Sequence, residues 1–151
     1  MNKKKNQTTL SEEQMSYLNS NPLILISSIE KETNGPNTSA ISWVKCLNDK
    51  KLRFAVTSNS RIIANISKNP NVTITFVGQG TVHTVLGKAS IIEEKISNIN
   101  IPLAKLEIEV DAVFDSMFWG AKITQDPKYE KTYDLEKAIA LDKQVYEALL
   151  S

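Results

Sequence analysis

One segment in the last third of the chain constrains the fold most strongly, because its apolar side chains recur at every second position. Residues 103–114 read LAKLEIEVDAVF. Successive side chains of a β-strand point to opposite faces of a sheet, so this pattern predicts a strand with one buried face. We expect six side chains to face the core, Ala104, Leu106, Ile108, Val110, Ala112 and Phe114, and four to face water, Lys105, Glu107, Glu109 and Asp111.

Shorter apolar runs, separated by turn residues, predict five further strands. They cover residues 22–29, 39–44, 52–56, 72–78 and 81–92. Glycine, asparagine, aspartate and proline mark turns at residues 33–37, 48–50 and 78–80, where these residue types are favoured. Within 39–44, the alternation predicts that Ile41 and Trp43 share one face of the strand.

Three helices are predicted, two from their cap residues and one from a change in the apolar spacing. Ser11 is predicted to cap a helix that ends near Tyr17 or Leu18, and Ser60 to cap a second helix that begins at Arg61. Residues 128–149 are predicted to form an amphipathic helix. We therefore expect a mainly β fold, a six-stranded antiparallel barrel, closed or nearly closed, with flanking helices. Residues 1–9 are predicted to be a flexible tail and residues 10–151 a single domain.

Charge and rare residues argue against several classes of function. Eighteen basic and 17 acidic residues leave a net charge of +1, which gives no electrostatic basis for binding nucleic acid or an anionic membrane. Cys46 and His83 are the only residues of their types, so neither an intramolecular disulfide nor a metal site is expected. No signal peptide and no membrane span are recognised. A cytoplasmic protein is the simplest expectation.

Familiar catalytic motifs are absent from the sequence. It contains no phosphate-binding loop, no dinucleotide-binding glycine motif and no nucleophile elbow, the motifs that would indicate those chemistries directly. Cys46 and His83 could in principle pair as nucleophile and base. A buried cysteine and a strand-facing histidine are the simpler interpretation.

The best candidate for a binding site is the polar cluster TSNS at residues 57–60, which runs into Arg61 and a predicted helix. Helix N-termini attract anions through free backbone N–H groups and the helix dipole. Thr57, Ser58 and Ser60 carry hydroxyls, and the planar guanidinium of Arg61 suits phosphate. The alternative is that Ser60 only caps the helix and that Arg61 only meets water.

Two other features add to this candidate. Gly87 lies inside a predicted strand, where a glycine often marks a bulge or a close approach to the backbone. Trp43 and the Phe118-Trp119-Gly120 cluster provide aromatic surface, for which core or dimer packing is the simpler role.

The order of these motifs resembles a known family. The stretch LRFAVTSNSRIIANISKNPNVTITF, followed by VLGKAS, is similar to the FMN-binding split barrel of pyridoxamine 5′-phosphate oxidases and their relatives. The similarity runs from about Thr38 to Phe76 and resumes near Gly87. The resemblance implies a six-stranded antiparallel split barrel that binds FMN, as a homodimer with two flavins at the subunit interface.

The resemblance also implies roles for particular residues. In such proteins the strand matching residues 40–45 lies along the flavin ring, and the strand matching Ala55 and Val56 contacts it through the backbone. Ser60 and Arg61 match the serine and arginine that hold the FMN phosphate, and Trp119 could reach the flavin of the partner subunit. The expected cofactor-binding residues are Ser42, Trp43, Val44, Lys45, Ala55, Val56, Thr57, Ser58, Ser60, Arg61 and Trp119.

Several positions depart from the oxidase pattern. Ile62 stands where the oxidase has a lysine, and Ala40 where it has a basic residue. Val82 lies near the place of a glutamine, whereas Lys45 matches a lysine near the oxidase's substrate. The arginine-containing C-terminal substrate segment of the oxidase has no counterpart. These differences affect vitamin B6 chemistry more than they affect FMN binding.

We therefore expect an FMN-dependent oxidoreductase of unknown substrate, with a small-molecule electron donor or acceptor, because the cofactor supplies the redox chemistry. The alternative is a non-enzymatic protein that binds flavin, haem or a deazaflavin on the same barrel. His83 is the only histidine that could serve as an axial ligand for haem. A nucleic-acid-binding module is a third interpretation, which the net charge does not favour.

Overall fold

Seven strands and three helices make up the part of the chain that the computed structural model describes, residues 7–151. The strands are β1 (Ile24–Ile29), β2 (Pro36–Ile41), β3 (Val44–Asn48), β4 (Lys51–Thr57), β5 (Asn71–Gly78), β6 (Thr81–Glu93) and β7 (Leu103–Asp115). The helices are α1 (Glu12–Leu18), α2 (Arg61–Lys68) and α3 (Leu135–Leu150). Among these helices, none is both long and apolar enough to cross a membrane.

The predicted tail is only partly described. Its residues 1–6 lie outside the described residues, and Gln7 forms an isolated bridge with Val113 of β7. The carbonyl oxygen of Gln7 accepts a hydrogen bond of 2.8 Å from the Val113 N–H. The chain therefore contacts the sheet three residues before the predicted domain boundary at residue 10.

All the strands belong to one antiparallel sheet in the order β2-β1-β5-β6-β7-β4-β3. Its two edge strands, β2 and β3, are consecutive in the chain and are joined by Ser42 and Trp43 alone, which we call the edge link. Two residues can join opposite edges only if the sheet curls until the edges meet there. No ladder connects β2 with β3 in residues 7–151. The sheet is therefore a barrel split along one side.

The predicted fold class, mainly β and antiparallel with flanking helices, is confirmed, but the predicted count of six strands was wrong. Residues 39–44 were predicted as one strand and contain the end of β2, the edge link and the start of β3. The Val44 N–H donates to the Ser42 carbonyl at 3.1 Å. This hydrogen bond closes a three-residue turn, so the chain bends where an uninterrupted strand was expected.

A β-bulge changes the alternation that was predicted for β7. Leu86 of β6 pairs with Ala112 and Gly87 pairs with Val110, so Asp111 is an extra residue. One extra residue exchanges the two faces of a strand. Val113 is therefore buried, whereas Ala112 and Phe114, which were expected in the core, are only half-buried.

Lys105 was predicted to face water and is instead buried. Its ammonium group forms an ion pair of 2.9 Å with Glu93 at the end of β6. Another irregularity in the β6–β7 ladder, between Ile91 and Glu93, precedes the pair of Glu93 with Lys105. The burial of this charge is compensated by its partner, as buried charges require.

Two hydrophobic clusters occupy opposite faces of the sheet near β4. The larger one contains Phe54 and Val56, and the smaller one contains Ala55 together with Val145 and Leu149 of α3. Phe54, Ala55 and Val56 are consequently all buried, although the alternating pattern predicted that only every second residue would be. The reason is that α3 covers the outer face of β4.

Helix α3 begins later than predicted. The expected helix covered residues 128–149, but the structure begins α3 at Leu135, after the cap residue Asp134. The Asp134 carboxylate accepts a hydrogen bond from the Lys137 N–H at 3.1 Å, a favourable N-cap arrangement. Residues 128–133 therefore lie outside the helix, in the loop that precedes it.

Candidate functional site

A cleft of about 570 Å³ opens beside the edge link. Such a volume lies in the range of small-molecule sites. Strands β2 and β4, the start of α2 and residues 129–133 contribute to its walls. Its lining residues are Leu23, Ser39, Ala40, Ile41, Ser42, Trp43, Ala55, Val56, Thr57, Ser60, Ile62, Tyr129, Lys131 and Tyr133.

The N-terminus of α2 contributes to this lining. Ser60 caps the helix, as predicted, because its hydroxyl oxygen accepts a hydrogen bond from the Ile62 N–H at 3.2 Å. The N–H of Arg61, the first helical residue, lies outside the intrahelical hydrogen bonds, as at every helix start. Thr57 and Ser60 both line the cleft. Hydroxyls and helix N-terminus together favour a ligand with an anionic group.

Ser58 and Arg61 of the same polar cluster do not line the cleft. The Ser58 hydroxyl donates to the carbonyl oxygen of Glu94 at 2.8 Å, which ties the cluster to the loop after β6. The Arg61 side chain is exposed. Hydrogen bonds from Thr33 are the main cause that lowers the pKa of Glu30, and the positive charge of Arg61 lowers it further.

Helix α3 holds both residues of the edge link. The Tyr146 hydroxyl donates to the Ser42 carbonyl at 2.9 Å, and the Trp43 indole N–H donates to Asp142 at 2.8 Å. Next to the link, the Lys45 ammonium group lies 4.4 Å from the centre of the Tyr146 ring. Lys45 also donates to the side-chain oxygen of Asn21, and burial lowers its pKa.

Residues 129–133, which we call the cleft segment, supply the only charged side chain of the lining, Lys131. The Tyr129 hydroxyl donates to the Asn21 carbonyl at 2.7 Å, and Lys131 forms an ion pair of 3.5 Å with Asp142. Tyr129, Lys131 and Tyr133 all line the cleft.

Sequence reasoning missed the cleft segment, because residues 128–149 were predicted as one helix. In a helix, positions two residues apart do not face the same side. The available signal was the recurrence of Tyr, Lys and Tyr at every second residue. It also missed Leu23, Ser39 and Ile62, whose apolar or small side chains gave no functional signal. Ala40 and Ile41 lie in the stretch 40–45 that was expected along the flavin ring, but they were not named as cofactor-binding residues.

Six of the predicted site residues come together in the cleft: Ser42, Trp43, Ala55, Val56, Thr57 and Ser60. Five others lie outside its lining. The Val44 side chain belongs to the main core, and Lys45, Ser58 and Arg61 lie as described above. Trp119 lies in the loop after β7 and exposes 89% of its surface.

Cys46 and His83 take no part in the cleft. Cys46 is buried, as predicted, and His83 lies on a strand, as predicted, with its side chain also buried. Burial raises the pKa of the Cys46 thiol to about 11. Both ring nitrogens of His83 are hydrogen-bonded, one to the Gly78 carbonyl and one to the Gln14 amide, each at 3.0 Å. Across residues 7–151, no group of three His, Cys, Asp or Glu side chains is arranged to hold a metal ion.

The residues present in the cleft fit FMN. Apolar and aromatic side chains, among them Trp43 and Val56, suit a flat ring, and the hydroxyls of Thr57 and Ser60 at a helix N-terminus suit a phosphate.

Comparison with known proteins gives the family. The family model described as pyridoxamine 5′-phosphate oxidase matches residues 10–105, more than half of the chain. This range contains the polar cluster, the edge link and most of the cleft lining. Among curated proteins, no sequence matches significantly.

Solved structures share the fold at low sequence identity. A protein of Lactobacillus delbrueckii assigned as a pyridoxamine 5′-phosphate oxidase has a TM-score of 0.62 and 18% identity, over 72% of this chain and 95% of that one. HupZ of Group A Streptococcus has a TM-score of 0.60 and 19% identity, over 76% and 99% of the two chains. An FMN-binding protein of Syntrophomonas wolfei has a TM-score of 0.57 and 15% identity, over 69% and 84%.

Structures with other ligands in their names share the same fold. They include an F420 reductase, with a TM-score of 0.57, and HutZ, the haem storage protein of Vibrio cholerae, with a TM-score of 0.54. The fold alone therefore does not select the ligand. The extent of the family match identifies the chain, which belongs to the pyridoxamine 5′-phosphate oxidase family.

Proposed function

We propose that the protein binds FMN in the cleft and acts as an oxidoreductase on a small molecule. The observation that carries the proposal is the position of the Ser60 cap, which brings a helix N-terminus and the hydroxyl residues Thr57 and Ser60 into the lining of an otherwise largely apolar cleft. Bound FMN would supply hydride or electron transfer, so the protein itself needs only to bind and orient.

Each wall of the cleft has a role under this proposal. Thr57 and Ser60 would contact the phosphate, and Trp43, Ala55 and Val56 would lie along the ring. Arg61 would approach the phosphate from the rim of the cleft. Its side chain is exposed, and no hydrogen bond or ion pair within the described residues holds it elsewhere.

The geometry of His83 favours flavin over haem. A carbonyl oxygen can only accept, so the ring nitrogen that faces Gly78 carries the proton and the other nitrogen accepts from Gln14. The ring is buried and stacked on Phe76. Coordination of haem iron by His83 would require this packing to be broken. A deazaflavin resembles flavin in shape, so the same cleft keeps it as the second candidate.

The test of the proposal compares FMN with riboflavin, which lacks the phosphate. Arg61→Ala should weaken FMN binding by about 10- to 100-fold, because charge-assisted hydrogen bonds contribute roughly 1.5–3 kcal/mol each. Riboflavin affinity should hardly change. Titration of both flavins into wild type and variant, followed by fluorescence quenching, measures the difference.

Lys68→Ala is the matched control, because it removes a positive charge from the last turn of the same helix. It should leave the affinity for FMN unchanged. Equal losses for both flavins in Arg61→Ala, or no loss for either, would contradict the role of Arg61 at the phosphate. Failure of wild type to bind FMN, with binding of F420 instead, would support the deazaflavin.

Two further properties belong to this proposal. We infer a homodimer with flavin at its interface, which the exposed aromatic side chains of Phe118 and Trp119 support.

We also infer a cytoplasmic location, because a single free cysteine suits a reducing compartment. Imaging of the tagged protein in cells tests the location.

A further inference from the structure

The edge link is a part of the cleft wall that lies outside the strands. It joins strands at opposite edges of the sheet, and no strand pairs with β2 on its outer side within the described chain. Ser42 and Trp43 nevertheless line the cleft directly. One backbone hydrogen bond holds the link to β4, from the Ala55 N–H to the Trp43 carbonyl at 3.0 Å. A wall built from two residues outside any strand gains from further support, because a turn with few contacts samples several conformations.

Helix α3 provides this support with one hydrogen bond to each link residue. The bond from Tyr146 reaches the backbone of Ser42, and the bond from Trp43 reaches the carboxylate of Asp142. Both are long-range, because the partners lie 104 and 99 residues apart in the chain. Burial is the main cause that raises the pKa of Tyr146, so its hydroxyl stays a donor at neutral pH.

Asp142 also connects the link to the cleft segment. One carboxylate oxygen accepts from the Trp43 indole and the other pairs with Lys131. Tyr146 and Asp142 are four residues apart on α3, so they lie on the same face of the helix. All three groups that they hold, Ser42, Trp43 and Lys131, line the cleft.

We propose that Asp142 and Tyr146 are positioning residues, which fix the edge link and so keep one wall of the cleft in the geometry that its ligand needs. This inference rests on the proposed function for the identity of the ligand. Neither residue lines the cleft, and both lie beyond residue 105, where the family match ends. Helix α3 is thus an addition to the matched region that completes the binding site.

The first test removes a single hydroxyl. Tyr146→Phe keeps the ring and its contact with Lys45 but removes the only long-range donor to the Ser42 carbonyl in the described residues, which then keeps the local bond from Val44. We expect FMN binding to weaken about 3- to 10-fold, because the ligand must then order a wall that was previously held. The matched control is Tyr17→Phe, which removes a hydrogen bond of the same kind, from Tyr17 to the Val77 carbonyl.

Tyr17 does not line the cleft, so Tyr17→Phe should lower thermal stability while FMN affinity stays at the wild-type value. This control separates positioning from stability in general. Equal FMN affinities in Tyr146→Phe and wild type would overturn the role of Tyr146.

The second test uses the indole N–H signals of the two tryptophans in the NMR spectrum of the protein without ligand. Asp142→Ala should shift the Trp43 signal and speed its exchange with solvent, whereas the exposed Trp119 serves as the internal reference. Asp142→Asn keeps an oxygen that can accept from Trp43 and should restore both properties. Asp142→Ala should bind FMN about tenfold more weakly than wild type, whereas Asp142→Asn should bind it with nearly the wild-type affinity.

These outcomes separate the inference from the proposed function. Absence of flavin binding in wild type would reject the proposed function, and the NMR comparison would still decide whether Asp142 positions Trp43. An unchanged Trp43 signal in Asp142→Ala would overturn the positioning role. Equal weakening of FMN binding by Asp142→Ala and Asp142→Asn would also overturn it, because the effect would then come from the lost charge.

Discussion

At the scale of single residues, Gly87 shows how one missing side chain shapes the sheet. It lies at the bulge between β6 and β7. A Cβ atom at this position would lie 2.4 Å from the Glu109 carbonyl oxygen and 2.7 Å from an Ile108 methyl group. The sequence hint of a close approach was therefore correct, but the approaching group is the neighbouring strand.

Gly87→Ala should lower the free energy of unfolding by about 1–3 kcal/mol, because the added methyl group forces the two strands apart. Urea unfolding of the variant and wild type measures the change. Ser90→Ala, at an exposed position of the same strand, is the control and should change stability by less than about 0.5 kcal/mol. Equal stability of Gly87→Ala and wild type would show that the strands can separate at no cost.

At the scale of secondary-structure elements, α1 is joined to the sheet through its own cap. Ser11 and Gln14 form a capping box, in which each side chain bonds the backbone N–H of the other. The amide nitrogen of Gln14 also donates to His83 in β6. One buried glutamine therefore completes the cap at the start of the helix and also fixes the contact between the helix and the barrel.

Removal of the cap should test this double role. Ser11→Ala should cost roughly 0.5–2 kcal/mol of stability, as the loss of an N-cap does. Gln14→Ala should cost more, because it also leaves the buried His83 nitrogen without its donor. Thermal unfolding gives both values, with the exposed Ser16→Ala in the same helix as the control. Equal losses for Ser11→Ala and Gln14→Ala would contradict the link to His83.

At the scale of the whole molecule, we predict a homodimer. Light scattering should give twice the 16.9 kDa mass of the chain, with or without added FMN. The reason is the exposure of large apolar side chains on the loop after β7, where Phe118 and Trp119 expose 71% and 89% of their surfaces. Such surface is costly in water and marks interaction sites.

Replacement of both Phe118 and Trp119 by alanine should shift the equilibrium toward the monomer. Replacement of the exposed Leu135 and Ile139 on α3 is the comparison, since these side chains are also apolar and exposed. A monomeric mass for wild type at micromolar concentration would reject the dimer. A dimer that survives the double replacement would place its interface on another surface.

The sequence by itself determined the elements whose signals are local. The apolar runs located β1 and β4 to β7, the Ser11 and Ser60 caps were predicted correctly, and the succession of short motifs indicated the family. These signals need only neighbours within a few residues, because backbone geometry sets both the periodicity and the cap. Six of the predicted site residues also line the cleft. Ala55, Val56, Thr57 and Ser60 lie on or next to these elements, whereas Ser42 and Trp43 lie in the edge link.

Only the tertiary structure decided how the elements meet. The break at Ser42 and Trp43, the phase change at Asp111 and the cleft segment all depend on partners far away in the chain. Trp43 is held by a residue 99 positions later, and Asp111 is displaced by a register shift against another strand. Periodicity carries no information about such contacts, because it shows which side of an element is apolar and not which distant residue packs against it.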